Sequence, residues 1–195
     1  MMVKLLFFAG SVRKDSMNKK LAKLAAAMAR QAGAEVTLVD LADYEMPLYD
    51  GDLEATLGVP ENALKLKQLF SEHAGFFIAS PEYNSSIPPL LKNSLDWISR
   101  PHGENEPSLI AYRGKVAALG AVSPGGLGGI RGLVPLRMML GNIGVTVAPS
   151  QVAIGFGGEA FDAEGELKDP NRAGMLKATV EGLVRLAKQV SGCAD

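Results

Sequence analysis

Apolar residues fall along the chain in two rhythms. Val3 to Ala9, Phe76-Phe77-Ile78-Ala79 and Lys115 to Ala121 are short, nearly continuous apolar runs. Such runs mark strands buried on both faces of a parallel sheet. Glu35 to Asp40 and Val145 to Ala148 read as two further, shorter strands. Between them the period lengthens to that of a helix. Leu21, Leu24, Ala25 and Met28 share one face, with Lys19, Lys20, Lys23 and Arg30 opposite. Gly33 is placed to end that helix. Leu64, Leu66, Leu69 and Phe70 predict a second over 61–72, and Leu90, Leu91, Leu95 and Ile98 a third, with Pro88 or Pro89 near its first turn. A fourth begins at Ile130 and carries Leu133, Leu136, Met139 and Leu140; the last spans Arg172 to Val190.

Five strands thus alternate with five helices, which predicts one three-layer, doubly wound α/β domain over residues 1–195. The strand order 2-1-3-4-5 is an expectation from fold analogy. Three connections are predicted to be irregular: Leu41 to Pro60, Arg100 to Arg113 and Gly155 to Asn171.

Composition narrows the function classes. Twenty basic and 21 acidic residues leave a formal charge of -1, which gives no electrostatic footprint for nucleic acid or a membrane surface. One cysteine, Cys193, and two scattered histidines, His73 and His102, argue against a disulfide or a metal cluster. The apolar N-terminal run is short and feeds a polar loop, so it reads as a core strand rather than a leader, and the expected location is the cytoplasm.

The chemistry collects in the loops after strands one, three and four, which converge at the carboxyl edge of such a sheet. The first holds Ser11, Arg13, Ser16 and Asn18 ahead of a helix N-terminus, a set of donors suited to phosphate. It has neither the Walker spacing nor a dinucleotide fingerprint, so the phosphate would be a terminal monophosphate. Ser16 as a simple helix cap and Arg13 as a solvated side chain remain open alternatives. The loop after strand three, Pro81-Glu82-Tyr83-Asn84, offers proline-fixed backbone, an aromatic ring and an amide, a combination suited to a planar heterocycle. Tyr83 as ordinary packing is the plain alternative. The fourth-strand loop, 123–129, is rich in glycine and lets backbone approach a flat ligand, unless it is only a flexible turn.

Three segments carry a resemblance. Gly10-Ser11-x-Arg13-x-x-Ser16-x-Asn18 is the first, and Pro81-Glu82-Tyr83-Asn84-x-Ser86-x-Pro88-x-Leu90-Leu91-Lys92-Asn93-x-Leu95-Asp96-Trp97 the second. With Ser123-Pro124-Gly125-Gly126-x-Gly128-Gly129-x-Arg131 they are similar to the NAD(P)H-dependent FMN reductase family, which is flavodoxin-like and includes quinone, chromate and azo-dye reductases. The resemblance implies that Ser11, Arg13, Ser16 and Asn18 hold the FMN phosphate, with Met17 contributing backbone. It implies that Pro81, Glu82, Tyr83 and Asn84 contact the isoalloxazine and ribityl region, and that Ser123, Gly125 and Gly126 lie along the other side. Tyr49, within Met46 to Asp50, matches a segment packed near the site or a neighbouring subunit, and Glu82 and Arg131 are also candidates for interface hydrogen bonds. NAD(P)H is the implied co-substrate, a quinone, flavin, azo compound or metal oxyanion the acceptor, and a homodimer or homotetramer the assembly. No side chain is assigned as catalytic, because the flavin carries the redox chemistry. Two rivals differ from this reading: an electron-carrier flavodoxin, opposed by the near-neutral charge, and an enzyme that takes FMN only as a diffusing substrate.

Overall fold

The computed structural model describes residues 2–192; Cys193 lies outside them. Five parallel strands form a single sheet in the order β2-β1-β3-β4-β5. They are β1 (Lys4–Ala9), β2 (Glu35–Val39), β3 (Gly75–Ala79), β4 (Val116–Val122) and β5 (Thr146–Ile154). This is the flavodoxin-like doubly wound arrangement.

Because side chains alternate across a strand, each buried run feeds two cores. Leu5, Phe7, Phe77 and Ala118 face α1 (Met17–Gln31) and α6 (Pro170–Val190), where Leu21, Ala25, Val180 and Leu183 complete one layer. Leu6, Phe8, Phe76, Ile78 and Leu119 face the opposite layer, built from α3 (Glu61–Glu72), α4 (Pro89–Ser99) and α5 (Ile130–Asn142). The Phe7 and Phe77 rings stack with centroids 5.6 Å apart across the β1–β3 pair. Register sets Ala9 beside Ala79 and Ala79 beside Gly120, so the loops leaving β1 and β3 depart abreast at the centre of the carboxyl edge, with β4 alongside.

Two predicted features change. The connection over 41–60 is not irregular throughout: it contains a 3-10 turn at Leu41–Asp43 and a short helix, α2 (Gly51–Leu57). The Asp50 side chain caps α2 by accepting from the amides of Asp52 (2.8 Å) and Leu53 (3.2 Å). None of its residues is buried, so it carries no apolar stripe for a periodicity argument to find. Strand five also continues through Pro149 to Ile154. Its pairing with β4 shifts register between Ala117 and Leu119, and β5 is an edge strand, where a bulge and a proline are both tolerated.

Candidate functional site

The loop after β1 is pinned at its root. The Gly10 amide donates to the Ala79 carbonyl at 2.9 Å. A Cβ at Gly10 would stand 3.1 Å from the Leu91 side chain and 3.4 Å from Pro81, so glycine is what lets the first and third loops touch. Ser11 and Ser16 are both buried. Ser11 Oγ accepts from the Arg13 amide at 3.3 Å, and Ser16 is the N-cap of α1, accepting from the Lys19 amide at 3.4 Å. The cap is therefore real, yet each hydroxyl keeps its proton to donate elsewhere.

Beyond them, the amides of Met17 and Asn18 have no acceptor among the described residues. The Arg13 guanidinium stands exposed at the rim, also without a partner among the described residues. The first turn of α1 holds Lys19 and Lys20 and no acid, which is unfavourable against the positive end of the helix dipole when the helix stands alone. Free amides, hydroxyls and cations gathered at one helix start are the donor set that a phosphate satisfies. FMN carries such a group, and the residues present fit it.

Asn18 sits differently from the other donors. Its side chain is buried, donating Nδ2–H to the Val122 carbonyl and accepting from the Val122 amide, both at 3.0 Å. Its side chain thus ties the start of α1 to the end of β4, while its backbone amide stays with the acceptor-less donors at the helix start. Met17 is half-buried, with Sδ 2.6 Å from where a Cβ on Gly157 would stand.

The loop after β3 is shaped by a two-residue turn. Tyr83 and Ser86 exchange amide-to-carbonyl hydrogen bonds of 2.9 and 3.0 Å, with Asn84 (φ 50°) and Ser85 (φ 64°) left-handed between them. This is the type I′ geometry, in which asparagine is well tolerated. It leaves the Tyr83 ring 49% exposed beside the sheet edge, with Asn84 exposed at the tip. Pro81 is half-buried against the Gly10 root. Glu82 points away: its Oε2 accepts from the Gly132 amide at 3.1 Å, within the first turn of α5. A carboxylate from another loop thus caps α5, whose own N-cap residue, Gly129, has no side chain to do so.

The glycine loop after β4 is packed, not loose. The Ser123 carbonyl accepts from the Gly157 amide at 2.9 Å, and Ser123 Oγ–H donates to the Gly125 carbonyl at 3.2 Å. Gly128 takes φ 65°, and a Cβ there would lie 2.5 Å from the Ile154 amide nitrogen. Gly125 is the contrast. Its carbonyl is taken up by the Gly128 and Phe156 amides and the Ser123 hydroxyl. A Cβ there would meet only Ser123 Oγ, at 3.9 Å, so the amide side is left clear of bulk, as an approach to a flat ring requires. Gly126 abuts the Phe156 ring at 3.2 Å from its virtual Cβ. Phe156 is exposed and left-handed (φ 54°), and nothing but an aromatic among glycines marks it in the sequence.

Tyr49 belongs to a neighbouring cluster on α4. Its amide donates to Asn93 Oδ1 (2.8 Å), and Asn93 Nδ2 and Trp97 Nε1 both donate to the Pro47 carbonyl. Its ring meets Trp97 edge-on at 5.0 Å, and its hydroxyl donates to Glu54, which also receives Arg100 Nε at 2.9 Å. The Arg100 hydrogen bond, reinforced by Tyr49, holds the Glu54 carboxyl below the usual carboxylate range. The bond donated to Glu54 raises the Tyr49 phenol. Among the described residues, no group of three or more His, Cys, Asp or Glu is placed to hold a metal, and no helix is long and apolar enough to cross a membrane.

A flavodoxin-like sheet whose β1 loop gathers donors of the kind a monophosphate takes, with the β3 and β4 loops beside it, fits one class: an α/β flavin mononucleotide oxidoreductase. Residues 3–159 match the model of NADPH-dependent FMN reductases, and the chain belongs to that family, which works with FMN and NAD(P)H. It is similar to a quinone reductase of Pseudomonas putida, with 32% identity over 88% of either chain. It is 30% identical to an NAD(P)H-dependent FMN reductase of Pseudomonas aeruginosa, over 97% of this chain and 98% of the other. Among solved structures, a flavoenzyme NAD(P)H:(acceptor) oxidoreductase from Paracoccus denitrificans superposes with a TM-score of 0.81 at 30% identity, covering 96% of this chain and 98% of that one.

Proposed function

We propose that this protein is an NAD(P)H-driven reductase of quinones and similar small acceptors. Its phosphate cradle comprises Ser11, Arg13, Ser16 and the amides of Met17 and Asn18. Pro81, Tyr83, Asn84 and the backbone of Glu82 form one wall of the ring site, and Ser123, Gly125 and Gly126 the other. The observation that carries this reading is the pair of acceptor-less amides at Met17 and Asn18, framed by two buried hydroxyls and a cationic first turn. When bound, FMN supplies the chemistry of taking up and passing on a hydride. The chain's own work is to bind, orient and shield. The cradle anchors the phosphate; the type I′ turn fixes Tyr83; the Gly125 amide offers a donor without side-chain bulk. Asn18 and Glu82 work one step back, tying α1 to β4 and the third loop to α5, so that the walls keep their spacing.

Donor and acceptor would enter the same opening onto the ring site in turn. We therefore expect a yellow protein that releases FMN on denaturation and oxidises NAD(P)H with a quinone, giving parallel double-reciprocal plots. A colourless protein that fails to bind added FMN would remove the reading, and intersecting plots would remove the shared opening.

The same reading includes assembly with a second copy. Ile130, Val134 and Met138 repeat every fourth residue on the outer face of α5, all exposed, and Leu127 extends the stripe toward the site. A groove of about 490 Å³ runs beside it, lined by Ile87, Pro89, Pro135, Met139 and Ile143.

A further inference from the structure

The crest of the phosphate loop has little packing to hold it. Val12, Arg13, Lys14 and Asp15 are all exposed, and Val12, the one apolar residue among them, is 46% exposed. Within the loop, Ser11 Oγ meets the Arg13 amide and the Ser16 amide meets the Arg13 carbonyl at 3.3 Å. These bonds set local shape but do not attach the crest to the sheet. Lys19 does. Its ammonium donates to the Val12 carbonyl at 3.3 Å and pairs with Asp40 Oδ2 at 2.6 Å. Asp40 is itself immobilised at the carboxyl end of β2, where its other oxygen accepts from the Ala42 amide at 3.0 Å. The chain of contacts therefore runs from the end of β2, through one ammonium, to the carbonyl behind the cradle. It also explains why a lysine is tolerated in the first turn of α1, where the dipole disfavours it.

We propose that Lys19 and Asp40 form a clasp that holds the phosphate loop in its binding shape, making both positioning residues for the FMN phosphate; this rests on the assignment of that loop as the phosphate site. The alternative role for Lys19 is a simple counter-charge, and the two roles give opposite signs in one variant. Asp40→Asn leaves the Lys19 charge in place, removes a negative charge near the phosphate, and keeps a side chain that caps the Ala42 amide well. If charge alone mattered, FMN would bind more tightly. If the clasp matters, loosening the loop weakens it.

The test uses the full chain stripped of flavin and titrated with FMN and with riboflavin, which lacks the phosphate, following the quenching of flavin fluorescence. In Asp40→Asn the Kd for FMN is expected to rise about fivefold, the scale of a partly exposed ion pair, while that for riboflavin stays unchanged. Lys19→Met should do the same or more, and Lys19→Arg should restore most of the affinity. An unchanged or lower Kd for FMN in Asp40→Asn overturns the clasp, and so does an equal loss for both flavins, which would report general damage. Wild-type protein that binds FMN no more tightly than riboflavin overturns the phosphate assignment itself, and the clasp with it.

Discussion

Asn18 illustrates how a residue in a ligand motif contributes through the protein before it contributes to the ligand. The end of β4 at Val122 presents one N–H and one C=O, and the amide of Asn18, with an acceptor oxygen and a donor nitrogen side by side, satisfies both at once. Aspartate offers no donor, and alanine leaves both backbone groups buried and unpaired. Asn18→Ala is therefore expected to lower unfolding free energy by about 2 kcal/mol, read from the midpoint of a urea transition. A loss below about 0.5 kcal/mol, the range of an ordinary surface change, would show that water replaces the pair and that the tie is not needed. The sequence makes Asn18 conspicuous, because it stands in a recognisable run of hydroxyls and cations. It does not reveal which way the amide points, since that depends on β4 ending beside the helix, a contact across 104 positions. Glu82 is the same case. Its carboxylate is needed at α5 because Gly129, which must be left-handed (φ 87°), has no side chain to cap with.

At the scale of elements, α2 and the segment before it form an arm with almost no core of its own. No residue of α2 is buried, so its place depends on Asn93 and Trp97 gripping Pro47, and on Arg100 gripping Glu54. Hydrophobic periodicity found every element that feeds the sheet, because those elements bury a face, and missed this one, which does not. The Arg100 hydrogen bond depresses the pKa of Glu54 in the folded protein. The stabilisation is thus fully present above the ordinary carboxylate range and disappears as pH falls through the depressed folded value. Trp97 is the sole tryptophan, buried, with the Tyr49 ring on its edge and its N–H on the Pro47 carbonyl. Its fluorescence should therefore change in an acid step that precedes global unfolding by circular dichroism. Glu54→Gln should show the acid-side signal already at neutral pH and lose the step. A Trp97 signal that moves only together with the global transition would mean that the arm is not a separate unit.

At the scale of the whole molecule, the alternation of strands and helices and the two cores follow from patterns visible in the chain. The sheet order, which the structure bears out, was legible only by analogy with other doubly wound folds. The outward face of α5 was legible in neither way. Leu133, Leu136 and Leu140 face the core, and that explains the helix fully as a monomer element. Only once their direction is fixed do Ile130, Val134 and Met138 emerge as an unsatisfied second stripe, exposed by 43%, 65% and 63%. A hydrophobic row of this kind, continuous with a groove on α4, is more than scattered surface residues and fits a self-complementary contact. Its position bears on function: Arg131, between two stripe residues, donates Nη1–H to Ser85 Oγ at 3.4 Å, so the stripe borders the turn that presents Tyr83. Pairing across α5 would therefore bring a second copy against the rim of the proposed flavin opening. Sedimentation of the wild-type protein should give a dimer or larger, and Val134→Glu with Met138→Glu should give a monomer whose circular dichroism is unchanged, because neither side chain enters the core. If the rim is completed by the partner, the monomer should also oxidise NAD(P)H with a raised KM for the quinone and an unaltered flavin content. A wild-type monomer, or a double variant that sediments as the wild type does, would remove α5 as the interface. A monomeric variant with unchanged KM would keep the interface and separate it from the opening.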